Sequence, residues 1–173
     1  MSRVFGPLRQ IGYVVPDIEA AMHHWVDVRG VGPWFYFDHY AVSDWHYRGT
    51  SHPAIHVSVA LSNWGDVQVE IIQQRCDTPS MFRDFLAAGG RGPQHWAVWP
   101  QKYDNVLRQA LDLGFTVVQS GATPRGRAAF LIEAGNPDWT IELSETGQAR
   151  LDFAARIRDA ALHWDGIDPI RVQ

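Results

Sequence analysis

His95 lies in the run Gly92-Pro93-Gln94-His95-Trp96-Ala97-Val98-Trp99-Pro100, and its type and setting are the first sign of chemistry in the chain. The two prolines bracket an apolar stretch too short for a helix and rich in residues that strands prefer. In a strand, His95, Ala97 and Trp99 share one face, because side chains alternate with period two. An imidazole on a core-facing side is costly without a partner, and the simplest partner is a backbone group. The same pattern, however, occurs earlier. Gln10-Ile11-Gly12-Tyr13-Val14 aligns with His95-Trp96-Ala97-Val98-Trp99, so Gln10 and His95 correspond. Each is followed two residues later by a tiny residue, Gly12 or Ala97, which leaves room beside the polar side chain.

A second pair follows from the same alignment. Val69-Glu70-Ile71-Ile72 matches Ile141-Glu142-Leu143-Ser144, so each half carries one glutamate among aliphatic strand neighbours. On the outer face of an edge strand both would be solvated. Buried, each carboxylate suffers a desolvation penalty, and two facing each other repel. A divalent cation resolves both problems at once.

The elements that must position these residues are legible along the chain. Leu8 to Val15 reads as a strand ended by Pro16. Asp17 then caps a helix from Ile18 to about Arg29, with Ile18, Ala21, Met22, Trp25 and Val26 at helical spacing. Trp34-Phe35-Tyr36-Phe37 begins the next strand, followed by a polar, His-containing connection. Strands at Ala54–Asn63 and Asp66–Gln73 meet at a tight turn near Trp64-Gly65. Thr78-Pro79 opens a short helix, Ser80–Ala88, with Pro at its first position, and the glycines of 89–92 end it. The His95 strand, a helix Tyr103–Leu113 and strands at Phe115–Gln119, Ala128–Glu133 and Trp139–Ser144 follow. An amphipathic helix, Gln148–Trp164, closes the chain.

Both halves therefore repeat the order strand, helix, strand, strand, strand. The expectation is an α+β fold of two βαβββ modules around a concave mixed sheet, because neither half can cover both faces of its own sheet. The modules span 1–76 and 93–146, with a linker helix in 77–92 and a C-terminal helix and tail in 147–173.

The pattern resembles the vicinal oxygen chelate superfamily, which includes glyoxalase I, methylmalonyl-CoA epimerase, extradiol dioxygenases and bleomycin-resistance proteins. The resemblance covers about Leu8 to Glu145. It implies that each module supplies two metal ligands, here Gln10 and Glu70 from the first, and His95 and Glu142 from the second. The first-strand position is often His; Gln there is similar to the eukaryotic type of glyoxalase I. One nitrogen, two carboxylates and an amide oxygen suit one divalent ion such as Co, Ni, Mn, Mg or Zn. The implied function is a metal-dependent isomerase, epimerase or lyase, working by proton transfer alpha to a chelated carbonyl. Glu142 is the candidate base, with Glu70 second.

Around that centre, Trp99 shares the strand face of His95. His56 and Ser58 share one face of their strand and are candidates for the cavity side. Arg125 and Arg127, in a glycine-containing turn, are candidates for an anionic substrate tail. Trp34, Tyr36, Trp45, Trp96 and Trp139 are further candidate walls. Eight tryptophans among 173 residues point to a wet, apolar cavity and a bulky, apolar or aromatic substrate, with a CoA thioester also open.

Composition excludes other classes. A net charge of -4 without a basic tract argues against a nucleic-acid partner. The single cysteine, Cys76, fits a reducing cytoplasm, and no stretch is long enough to span a bilayer. The family habit and the aromatic richness imply a homodimer. Two competing readings stand beside the enzyme. One is a non-catalytic small-molecule binder of the bleomycin-resistance type, in which coordinating residues have usually drifted. The other is a ring-cleaving oxygenase, disfavoured because such iron sites want two histidines and a carboxylate.

Overall fold

A computed structural model describes residues 2–173, apart from the side chains of Pro137 and Asp138. The chain forms β1 (Gln10–Val14), α1 (Ile18–Arg29), β2 (Trp34–Tyr47), β3 (Thr50–Ser51), β4 (Ile55–Trp64) and β5 (Val67–Gln74). After α2 (Met81–Ala87) come β6 (Pro93–Val98), α3 (Tyr103–Asp112), β7 (Phe115–Thr123), β8 (Gly126–Glu133), β9 (Asn136–Ser144), α4 (Gln148–Leu162) and β10 (Ile170–Val172).

Local chemistry sets these boundaries. Asp17 accepts a hydrogen bond from the Ala20 amide at 2.9 Å, and Gly30 ends α1 in the left-handed conformation with φ 64°, which costs glycine little. The helix buries Ile18, Met22 and Trp25 against Trp34, Tyr36, Ala60, Val69 and Ile71 of the sheet. At α2 the start differs from expectation. Ser80 is the N-cap, accepting from the Arg83 amide, so Pro79 precedes the cap rather than occupying the first helical position.

All the strands belong to one sheet, in the order β10-β2-β4-β5-β1-β6-β9-β8-β7, with β3 paired to β2. The two halves meet along β1 and β6, which run antiparallel with Gln10 opposite Ala97 and Gly12 opposite His95. The concave mixed sheet expected is present, and it curls further into a barrel. β7 pairs back onto β2, through Ser43↔Ala122, His46↔Ser120 and Tyr47↔Gln119, and closes a ring of eight strands. The cause lies in the polar stretch after Phe37. It continues β2 as far as Tyr47 with one face wet, Asp44 and His46 being exposed while Trp45 and Tyr47 are buried. Polar composition hid that alternation. A further strand, β10, lies parallel to the start of β2, with Ile170 opposite Trp34. No helix among the described residues is long and apolar enough to cross a membrane.

The closing seam is tight. A Cβ at Gly121 on β7 would stand 2.5 Å from Val42 Cγ1 and 2.9 Å from Trp45 Cε3 of β2. Gly121→Val is therefore expected to lower stability by about 1–3 kcal/mol, the usual cost of overpacking. A urea titration checks this, and an unchanged midpoint would mean the seam has slack.

Candidate metal centre

Four adjacent strands, β5, β1, β6 and β9, bring the singled-out polar residues together. In the parallel pairings Glu70 lies opposite Gly12 and Glu142 opposite Ala97. The two halves thus repeat one register, each glutamate facing the tiny residue two positions beyond the first-strand polar residue. Gly12 is required here. A Cβ on it would come within 2.0 Å of His95 Cε1 and Nε2, so the imidazole occupies the space that glycine leaves.

His95 is fully buried, its ring 5.1 Å from Phe130 and 6.4 Å from Phe82, centroid to centroid. Its Nδ1 lies 2.8 Å from Gln94 Oε1. An amide oxygen only accepts, so Nδ1 carries the proton and Nε2 is the atom turned to the site. Nε2 lies 3.1 Å from Glu142 Oε2 and 3.4 Å from Glu70 Oε2. These are charge contacts, since Nε2 makes no hydrogen bond of acceptable geometry. Ligand atoms of the three residues lie within 4.8 Å of one another, a grouping that can hold a metal ion. Gln10, also buried, lines the same cavity as the two glutamates. Its Nε2 donates to Gln68 Oε1 at 2.7 Å, which leaves the carbonyl oxygen as the end available to a cation.

The protein alone makes the two carboxylates unequal. Burial raises the Glu70 pKa; His95 offsets this only in part, and the Glu142 charge adds to the rise. Burial also acts on Glu142, but His95 and the Ser144 hydroxyl, which donates to Glu142 Oε1, outweigh it and its pKa falls. For His95 burial is again the largest influence and disfavours the charged ring, yet the two carboxylates together raise its pKa to about 9.

Above this cluster opens a cavity lined from both halves of the sheet and from α4. Its walls are largely apolar, including Trp45, Val57, Val59, Phe82 and Phe130, with Trp99, Arg125 and Arg150 among the residues that can hydrogen-bond. Trp99 is thus where sequence placed it. His56 and Ser58 are not. Val57, Val59 and Leu61 turn to the cavity, so by strand alternation their neighbours point away. His56 is exposed, and Ser58 is buried, donating to the Asp38 carbonyl and accepting from Arg75 Nε at 2.7 Å. The arginines separate likewise. Arg125 lines the cavity, whereas Arg127 is held outside it by Asp104 and Glu145, at 2.9 and 2.8 Å.

Of the other candidate walls, Trp45 lines the cavity, Trp34 and Tyr36 pack in the core beneath α1, and Trp96 stacks on the exposed Trp139. Sequence reasoning passed over Gln94, Gln68 and Arg150. Gln94 directly precedes His95 and therefore faces the other way in an ideal strand, so period two gave no sign that its amide curls back to Nδ1.

Residues 9–132 match the model of the Glyoxalase/Bleomycin resistance protein/Dioxygenase superfamily, and the chain belongs to that superfamily. No curated protein matches the sequence. Among solved structures, a hypothetical protein from Bacillus halodurans is similar at 18% identity and TM-score 0.60, covering 82% of this chain and 95% of its own. A methylmalonyl-CoA epimerase from Mycobacterium tuberculosis shares 18% identity at TM-score 0.59, covering 88% and 95%. One from Streptomyces coelicolor, in complex with 2-nitronate-propionyl-CoA, shares 17% at TM-score 0.54, covering 83% and 96%. At such identities the likeness concerns the fold.

Outer partners of a ligating histidine typically carry about 10–100-fold in metal affinity. Gln94→Leu is expected to weaken Co(II) binding by that factor. Titration of the variant against wild type checks it, and equal affinities would mean that Nδ1 needs no acceptor.

Proposed function

We propose that this protein is a divalent-metal-dependent isomerase or epimerase that moves a proton at the carbon next to a carbonyl of a bulky, apolar small molecule. The observation that carries this reading is His95 Nε2, buried without a hydrogen bond between two carboxylates while Nδ1 is committed to Gln94. The two carboxylates repel each other, and a cation between them and Nε2 would satisfy all three groups at once. Gln10, Glu70, His95 and Glu142 would hold it, and the hard, oxygen-rich set suits Co, Ni, Mn, Mg or Zn. When bound, such an ion supplies Lewis acidity toward a carbonyl oxygen.

The remaining work belongs to the chain. Glu142, whose pKa is lowered, is available as the ionised base. Glu70, the other carboxylate of the centre, stands second to it as base. The aromatic and aliphatic walls orient a bulky ligand and limit water near the transferred proton. The epimerases among the structural neighbours accord with this class, and a single nitrogen ligand speaks against an iron oxygenase of the two-histidine type.

Elemental analysis of purified wild type and His95→Ala tests the centre. One divalent ion per chain is expected, lost in the variant. Among carbonyl compounds screened for deuterium uptake from heavy water, Glu142→Gln should lower exchange at least about 100-fold while keeping much of the metal. Absence of metal, with no thermal stabilisation by added Co, Ni, Mn or Zn, would turn the assignment to a non-catalytic binder of the bleomycin-resistance type.

A further inference from the structure

We infer that the ligand of this cavity is an organic anion, an aromatic or bulky apolar carbonyl compound whose acid group is bound by Arg125. Its carbonyl end rests on the function proposed above; its acid end rests on the cavity and Arg125 and not on the metal.

Arg125 sits in the turn between β7 and β8, and that turn is ordered. Thr123 Oγ1 accepts from the Arg125 amide and donates to the Gly126 carbonyl, both at 3.1 Å. The guanidinium carbon lies 4.5 Å from the Phe153 ring centroid, 4.8 Å from Phe37 and 5.7 Å from Tyr40. Rings hold a guanidinium by its faces and leave its N–H edges free. Of those donors, one reaches Tyr40 Oη at 3.3 Å.

Among the described residues no carboxylate pairs with Arg125. The ion-paired arginines among the described residues are Arg48, Arg75, Arg83, Arg127, Arg158 and Arg171. Arg125 is outside that group, and so is Arg150, the second cation lining the cavity, whose Nε donates to the Glu145 carbonyl at 3.1 Å. Among the described residues, the acidic ones lining the cavity are Glu70 and Glu142, which face His95 and also attract Arg150. Arg125 therefore brings to the cavity a charge that pairs with no carboxylate among the described residues, on a planar donor fork suited to two oxygens of a carboxylate.

The separation of the poles sets the ligand's shape. Phe130 lies opposite Glu142 in the β8–β9 pairing, and four residues of strand, roughly 13 Å at the usual rise, separate it from Gly126 beside Arg125. The Arg125 and Glu142 side chains both reach into the cavity and shorten that span, and with apolar walls between the space suits a ligand that carries an apolar body between its acid and its carbonyl.

The test uses two probes that differ only in charge, 4-acetylbenzoate and 4-acetylbenzamide. Each is titrated into metal-free and metal-loaded protein, with tryptophan fluorescence and calorimetry as readouts. A charge-assisted hydrogen bond stabilises enough to make the acid bind about tenfold tighter. Arg125→Gln should erase that preference with little change in amide affinity, and Arg125→Lys should restore part of it. Equal binding of the two probes to wild type, binding of neither, or a preference that survives Arg125→Gln and vanishes in Arg150→Gln would overturn the assignment. The acid preference is read without metal, so its persistence in a His95→Ala protein would separate failure of the metal reading from failure of this one.

Discussion

The rest of the structure depends on a costly burial, that of two carboxylates and one imidazole at the seam where the halves join. Desolvation is the largest influence on the pKa of all three groups, so the protein gains nothing from placing them there as isolated ions. They are tolerable only together. Their togetherness is set by sheet register: Gly12 lies between Glu70 on β5 and His95 on β6, and Ala97 between Gln10 on β1 and Glu142 on β9. A one-residue slip of any of these strands would turn its polar side chain to the other face. The apolar core is thus what specifies the centre, because slipping would also expose Ile71, Val98 or Leu143, all buried.

Charge is distributed along the cavity as well. Glu70 and Glu142 gather around His95, Arg150 from α4 stands close enough to lower their pKa values, and Arg125 enters from the β7–β8 turn. Aromatic side chains occupy the distance between. Such a layout gives an incoming molecule a direction before any chemistry occurs.

Much of this was legible from the sequence. Period two put Gln10 and His95 on the inner face, and the internal repeat singled out, from nineteen acidic residues, Glu70 and Glu142, which the fold brings beside His95. Asp17 and Gly30 marked the ends of α1 by well-understood capping chemistry. The failures have physical reasons too. Asp38 to Tyr47 looks like a loop because its outer face is polar, and only the partner strand β7 makes it part of a barrel. For β4, alternation separated the two faces but could not say which one met the cavity, so His56 and Ser58 were assigned to the wrong side. Arg125 and Arg127 are equivalent by type and turn, and their different roles follow from Asp104 and Glu145, whose proximity to Arg127 is a tertiary fact.

Closure of the sheet by β2 and β7 has a kinetic corollary. A ring of paired strands cannot widen on one side without breaking a ladder, so the barrel wall itself offers no easy gate. α4 is the softer boundary. It contributes Arg150, Phe153 and Ala154 to the cavity, begins at Gly147 without a side-chain cap, and fully buries only Ile157. Segments with few buried contacts open at the lowest free energy. This fifteen-residue segment is thus the part of the cavity boundary that no strand ladder ties shut.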